Sequence, residues 1–204
     1  MSSFLAPALA GLGTGAGLIV AIGPQNAFVL RQGLRRSGVL PVVLVCILSD
    51  ISLIVAGVAG MGALAARFPV LLEVVRWGGV AFLVGYAVLA ARRALRPDVL
   101  EAAATAESTG RGVVLTALAL TWLNPHVYLD TMVLLGSVAA TKGDPGRWAF
   151  GAGAMLASIL WFTLLGLGAR GLSSALRRPR VWRLVDGLIA LQMLIVALGL
   201  ATTA

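Results

Sequence analysis

The sequence is too apolar and too weakly charged for a water-soluble globular protein. Its 204 residues suffice for one domain; 59% are hydrophobic, 12% are charged, and the net charge is +8. Soluble domains carry about 25% charged residues, so this composition cannot form a polar surface. It predicts one all-α integral membrane domain over residues 1–204. The lone cysteine, Cys46, excludes an internal disulfide and a dithiol redox pair.

Six apolar segments are long enough to cross a bilayer as helices. A hydrocarbon core of about 30 Å requires about 20 apolar residues, and the segments lie at residues 4–34, 37–66, 70–91, 112–141, 148–169 and 181–204. The stretch 92–111 is predicted as a cytoplasmic linker. It separates repeat one, residues 1–91, from repeat two, residues 112–204.

The first segment contains Gly11, Gly13, Gly15 and Gly17, which formally satisfy a dinucleotide-binding pattern. No predicted strand precedes the pattern, and no acidic residue follows at the distance that a ribose contact needs. We therefore reject that interpretation. The same glycines form two overlapping G-x-x-x-G pairs, which are typical of close helix packing in membranes.

A proline interrupts both the first and the fourth segments. Pro24 follows Gly23, Pro125 follows Asn124, and the two prolines are 101 residues apart in a chain of 204. Because proline suits the first position of a new helix, each segment is predicted as two half-helices, with Gly23 and Asn124 as N-caps. Three spans per half predict two inverted repeats. The alternative is that each proline only kinks a continuous helix.

The half-helices have a predicted chemical consequence. Each second half would begin with unpaired backbone N–H groups near Gln25, Asn26, His126 and Val127. Helix N-termini carry partial positive charge and attract anions, including a carboxylate. The two breaks are therefore candidate binding positions.

Two acidic residues fall inside the predicted spans. Asp50 lies near the middle of the second segment, where a charge costs at least about 2.5 to 3.5 kcal/mol unless it faces a cavity or a partner. Asp130 follows His126 by four residues, so the two could share a helix face and form a hydrogen-bonded pair. A purely structural pair is the alternative. Asp186, three residues after Arg183, is interpreted as part of an interfacial ion pair.

The basic residues predict the orientation in the membrane. Loops one, three and five hold 12 of the 16 Lys and Arg residues, and cytoplasmic loops collect such residues. We therefore place these loops in the cytoplasm and both termini outside. This topology and contact with anionic lipid explain the positive net charge, so no nucleic-acid partner is predicted.

Three motifs carry a family resemblance. GPQNAFVLRQG spans residues 23–33, Ser49 and Asp50 lie in the second segment, and TWLNPHVYLD spans residues 121–130. Together they resemble the lysine and arginine exporters (LysE/ArgO) of bacterial inner membranes, within the lysine-exporter superfamily. The resemblance implies a six-span secondary exporter of basic amino acids, with sites at both proline motifs and at the acidic residue of the second span.

The chemistry of the residues agrees with this implication. A basic amino acid offers a carboxylate and two cations, which suit helix ends and a buried acid. The predicted substrate-binding residues are Gln25, Asn26, Asp50, Asn124, His126 and Asp130, and the predicted helix breaks are at Gly23, Pro24 and Pro125. Exporting one positive charge costs about 2.3 kcal/mol per 100 mV, which one inward proton can offset. We therefore predict proton antiport, with Asp50 or Asp130 as the carrier.

Several alternatives stay open. Neutral amino acids or divalent cations could be the exported solutes, although metal transport favours more carboxylates or histidines at membrane depth. A membrane enzyme would need a nucleophile with an activating base, which no motif supplies. Cavity-lining roles for Gln192, Trp122, Tyr128 and Trp161 compete with simple packing. No cofactor or bound metal is predicted; the expected partners are a basic amino acid, protons and the bilayer, with a homo-oligomer left open.

Overall fold

All regular structure in the described part of the chain is helical. The computed structural model describes residues 2–20, 23–35, 38–60, 69–95, 110–169 and 179–202. The elements are α1 (Ser2–Ile19), α2 (Pro24–Arg35), α3 (Val39–Val58), α4 (Pro69–Leu95), α5 (Gly110–Trp122), α6 (Pro125–Tyr128), a π-helical segment (Leu129–Leu134), α7 (Leu135–Ala140), α8 (Gly146–Gly168) and α9 (Pro179–Thr202). The all-α prediction is confirmed for these residues.

Several of these helices are long and apolar enough to cross a membrane. Three helical segments qualify alone, namely Val39–Val58, Trp77–Leu95 and Gly146–Gly168. Two bent helix pairs raise the number to five if each pair is one span. The described part of α9 has 24 residues, but its apolar stretch, Asp186–Gly199, is shorter than a span.

The chain changes direction at both prolines. Pro24 begins α2, and the axes of α1 and α2 differ by 84°. Pro125 begins α6, and the helix that follows it is bent by 60° from α5. A proline at the first helical position sacrifices no intrahelical hydrogen bond, because an N–H group there would have no partner within the helix. Each long segment thus contains two helices with different axes.

Small residues allow α1 to pack closely along α8. A Cβ atom on Gly11 would overlap the backbone of Phe150, and a Cβ atom on Gly15 would also contact the α8 backbone, at 2.9 Å. Such close approach of helix backbones is typical of membrane helices. Among the described residues, Gly13 and Gly17 would meet nothing within 4 Å, so the close packing seen here belongs to the first pair, and the role of the second pair stays a prediction.

The buried apolar side chains form three clusters. The first shares α2 with the second, and α3 and α8 with the third. The first joins α2, α3, α5 and α8, the second joins α2, α4 and α9, and the third joins α3, α7 and α8. Their largest buried members are Phe162 in the first, Leu83, Ile189 and Met193 in the second, and Ile54, Leu135 and Phe150 in the third. Many other leucines are exposed, as on a surface that faces lipid.

The predicted linker is shorter at both ends than the sequence suggested. Helix α4 continues to Leu95, and α5 begins at Gly110. Residues 96–109, which form the rest of the predicted linker, lie outside the described residues. Residues 61–68 and 170–178 also lie outside the described residues. Of these, residues 61–66 are the end of the predicted second segment, and the others belong to predicted loops.

Candidate functional site

A cavity of about 90 Å³ lies where the two broken helices meet α3 and α9. This volume holds several water molecules. All six predicted substrate-binding residues line it, together with two predicted break residues: Gln25, Asn26, Asp50, Asn124, His126, Asp130, Gly23 and Pro24. The third predicted break residue, Pro125, begins the helical stretch that carries His126 and Asp130. The structure therefore brings the predicted site together from both halves of the sequence.

Asp50 brings a carboxylate to the cavity from the middle of α3. Its residue surface is 4% exposed, and the Ser158 hydroxyl donates a hydrogen bond of 2.8 Å to Asp50 Oδ2. Ser158 lies on α8, which packs against α3. The carboxylate is thus oriented by a neutral partner.

At the second break, Asn124 caps the helix that begins with Pro125. Its Oδ1 accepts a hydrogen bond from the His126 N–H at 3.2 Å, and its carbonyl oxygen accepts one from the Val127 N–H, also at 3.2 Å. Asn124 is therefore the N-cap that the sequence predicted. The expectation of unpaired N–H groups at His126 and Val127 is wrong, because this one residue accepts a hydrogen bond from each of them.

His126 and Asp130 form the predicted pair. His126 Nδ1 lies 2.9 Å from Asp130 Oδ2, and both side chains are partly exposed to the cavity and its surroundings. Asp130 belongs to the π-helical segment, where its carbonyl oxygen accepts a hydrogen bond from the Leu135 N–H, five residues later. Such π turns are rare and occur frequently at functional sites. No sequence pattern predicted this one.

At the first break, Asn26 connects three helices. Its Nδ2 donates to the carbonyl oxygen of Ile19 at 2.8 Å, and its Oδ1 accepts from Trp161 Nε1 at 3.2 Å. These contacts fix the end of α1 and the start of α2 against α8. The neighbouring Gln25 Nε2 is buried, and within the described ranges its hydrogen bonding is limited to a weak interaction with the Cys46 thiol.

Four further polar or aromatic residues were candidates for the cavity wall. Gln192 does line the cavity, and so does Thr131, which the sequence analysis missed. Trp161, Trp122 and Tyr128 are not in the lining; they hydrogen-bond to Asn26, Ser49 and the Trp122 carbonyl oxygen, respectively. Thr131 directly follows Asp130, and this adjacency was the available signal.

Asp186 is placed differently from the prediction. It is completely buried on α9, and one terminal nitrogen of Arg31 lies 2.6 Å from each of its carboxylate oxygens. Arg93 Nε lies 3.4 Å from Oδ1. The predicted interfacial pair with Arg183 is wrong, because the carboxylate turns inward and Arg183 is exposed. The partners are distant in sequence, so local spacing could not identify them.

Comparison with known proteins gives the family. The profile described as LysE type translocator matches residues 16–204. The chain belongs to the LysE-type translocator family. The resemblance seen in the three motifs is thereby confirmed, and the chain is a transporter, not an enzyme.

The relatives of this LysE-family chain are similar over most of their length. A Mycobacterium tuberculosis H37Rv protein, whose name proposes an amino-acid transporter, is 50% identical and covers 91% of this chain and 92% of its own. The lysine exporter LysE of Corynebacterium efficiens is 42% identical, and the alignment covers 86% of this chain and 90% of the exporter. The arginine exporter ArgO of Salmonella schwarzengrund is 45% identical, and the alignment covers 94% of this chain and 91% of the exporter. No solved structure gives a significant match.

Proposed function

We propose that this LysE-family transporter exports basic amino acids, L-lysine or L-arginine, across the bacterial cytoplasmic membrane. The observation that carries the proposal is the convergence of Asp50, Asp130 and His126 with four amide side chains on one cavity between the broken helices. The names of the LysE and ArgO relatives support this substrate class.

In this proposal, Asp50 binds a cationic group of the substrate. Its carboxylate is buried, and the partner that it has in the structure is a neutral hydroxyl. A buried charge is costly unless it is paired as well as hydrogen-bonded. An ammonium or guanidinium group in the cavity would supply the missing opposite charge.

The substrate carboxylate would be bound at the helix breaks. The buried Gln25 Nε2 is a donor at the start of α2. At the start of the helix that begins at Pro125, His126 and Val127 line the cavity. Since Asn124 already accepts from the first two N–H groups there, this second end would act through its partial positive charge rather than by direct hydrogen bonds.

The proposal includes six spans in two inverted repeats. Helix α9 would be the sixth span, because its 24 described residues extend about 36 Å at 1.5 Å per residue, which is enough to cross the hydrocarbon core. The helix contacts support two equivalent repeats, in which α3 corresponds to α8 and α4 to α9. In the first repeat α2 packs on α8, and in the second the helix over 125–140 packs on α3. Corresponding helices also contact each other, α3 with α8 and α4 with α9. Both termini would be outside the cell.

Export would be coupled to proton uptake, with Asp50 or Asp130 as the carrier. Moving one positive charge outward against 100 mV costs about 2.3 kcal/mol, and one proton moving inward offsets that electrical cost. Asp50 and Asp130 both line the cavity. Proton binding there would compete with binding of a cationic substrate.

The test is efflux from proteoliposomes loaded with labelled lysine, arginine or leucine, or with cadmium. We expect efflux of lysine or arginine that accelerates when the outside is acidified. Asp50→Asn should reduce this efflux at least tenfold, because the amide keeps the volume but carries neither charge nor proton. Asp144→Asn is the control, since Asp144 is exposed and pairs with its neighbour Arg147. Efflux of leucine or cadmium without lysine or arginine would contradict the proposal.

A further inference from the structure

Three charged side chains that the proposed site does not use form a buried cluster, which we call the Arg31–Asp186–Arg93 cluster. Asp186 is 0% exposed, and the side chains of Arg31 and Arg93 are 19% and 15% exposed. Arg31 approaches both carboxylate oxygens at 2.6 Å, while the Arg93 guanidinium also lies 5.3 Å from the centre of the Tyr86 ring. The cluster therefore links α2, α4 and α9.

This cluster lies beyond one end of the cavity. On α2, Arg31 comes six residues after Gln25, and on α9, Asp186 comes six residues before Gln192; both Gln25 and Gln192 line the cavity. Six helical residues correspond to about 9 Å. Arg93 is near the end of α4. The ends of α2 and α4 and the start of α9 adjoin the predicted loops one, three and five in the sequence. The cluster therefore stands between the cavity and these three helix ends.

We propose that the Arg31–Asp186–Arg93 cluster is the closed cytoplasmic gate of the cavity, and that Asp186 receives the distal cation of an incoming basic amino acid when Arg31 moves away. The cytoplasmic position and the substrate rest on the proposed function. The gate itself rests on the geometry, because the ion pairs hold α2 against the α4–α9 pair.

The chemistry of the exchange explains why a cation would open this gate. Removing Arg31 alone would weaken the charge compensation of a fully buried carboxylate, which is strongly unfavourable. An arginine or lysine side chain offers Asp186 a replacement cation, so the carboxylate stays paired while Arg31 leaves. The released guanidinium can then bind the substrate carboxylate bidentately. A neutral amino acid has the carboxylate but no distal cation for Asp186.

The gate is tested by thiol labelling that does not depend on the substrate. Val127 lines the cavity, so Val127→Cys in a Cys46→Ala background reports access from either side. In inside-out vesicles treated with an impermeant maleimide, Arg31→Gln should raise the labelling rate at least tenfold. Arg31→Lys, which keeps the charge, should stay within threefold of the parent. Arg147→Gln is the matched control, because it removes the ion pair between Arg147 and the exposed Asp144 at the start of α8, outside the Arg31–Asp186–Arg93 cluster. It should leave the labelling rate unchanged.

The role of Asp186 is tested by comparing Arg31→Gln with the double variant Arg31→Gln/Asp186→Asn, which removes one charge of each sign. Both variants should be open to the maleimide. The KM for arginine transported from the cytoplasmic side should be at least tenfold higher in the double variant, since only the single variant keeps the receiving carboxylate. Thermal midpoints of the purified variants verify that both are folded.

The outcomes separate the two proposals. Unchanged labelling of a folded Arg31→Gln protein would overturn the gate, even if the parent exports arginine. Equal KM values would overturn the role of Asp186 as a receiving group. Raised labelling in a protein that exports neither lysine nor arginine would support the gate and overturn both the proposed substrate and the receiving role.

Discussion

Asp50 and Asp186 are both buried carboxylates, but their partners differ. Asp50 accepts a hydrogen bond from a serine hydroxyl, whereas Asp186 contacts two guanidinium groups. Asp186 is therefore compensated within the protein, and Asp50 faces the cavity with a neutral partner. This difference assigns them different roles in our account: Asp50 binds the substrate at the centre, and Asp186 acts at the gate.

Asn124 is the residue whose local role is easiest to isolate. Replacing it with alanine removes the acceptor of the His126 N–H, and loss of such a cap costs about 1 kcal/mol. We expect Asn124→Ala to lower the thermal midpoint of the purified transporter, and Asn124→Asp to stay close to the parent, because aspartate also caps. Equal midpoints for the parent and the alanine variant would show that the cap does not stabilise this helix.

The α1–α8 contact explains why two neighbouring glycines should respond differently to one methyl group. Gly11→Ala places a Cβ atom on the backbone of Phe150, whereas Gly13→Ala places it in open space. We expect Gly11→Ala to lower stability by about 1 to 3 kcal/mol, as overpacking does, and Gly13→Ala to be neutral or slightly stabilising. Thermal unfolding of the two variants in the same detergent checks this. A less stable Gly13→Ala protein would contradict the packing.

The two helix breaks should differ in their dependence on proline. Alanine is the better helix former by about 3 kcal/mol, so Pro24→Ala favours joining α1 to α2. Pro125→Ala should have the smaller effect, because the Asn124 side chain still caps the second helix. We expect impaired transport and weaker lysine or arginine binding in folded protein, most strongly for Pro24→Ala. If both variants bound lysine and arginine with the affinity of the parent, the helix breaks would not contribute to substrate binding.

Much of this element structure followed from the sequence because its causes are local. Proline at Pro24 and Pro125 breaks a helix through its own ring and missing N–H group, and four-residue spacing brings His126 to Asp130. The ion-pair partner of Asp186 was predicted wrongly, because its actual partners, Arg31 and Arg93, come from helices far away in the sequence. The π turn at Asp130 lies in a helix that packs against α3, and hydrophobic periodicity in the sequence does not predict such a turn.

At the scale of the whole molecule, the distribution of basic residues predicts the orientation. In a Cys46→Ala background, single cysteines at Thr105 and Ala204 probe the third loop and the C-terminus. We expect an impermeant maleimide to label intact cells at residue 204 and to label residue 105 only after permeabilisation. The reverse pattern would overturn the topology and move the Arg31–Asp186–Arg93 cluster to the outer face.

The site depends on the whole molecule, since its residues come from both halves of the chain. Gln25, Asn26 and Asp50 belong to the first half, and Asn124, His126 and Asp130 belong to the second. The sequence identified these residues through two proline motifs and one buried acid. It could not give the contribution of Gln192, because a glutamine on an apolar helix is equally compatible with packing.

The most direct test of the central claim is calorimetric titration of the purified transporter with lysine, arginine and leucine. If the cavity binds a basic amino acid through Asp50, lysine or arginine binds the parent, leucine binds at least tenfold more weakly, and Asp50→Asn loses at least tenfold in affinity for the basic amino acids. Asp144→Asn should bind like the parent. Equal affinity of the parent and Asp50→Asn for lysine and arginine would contradict the account.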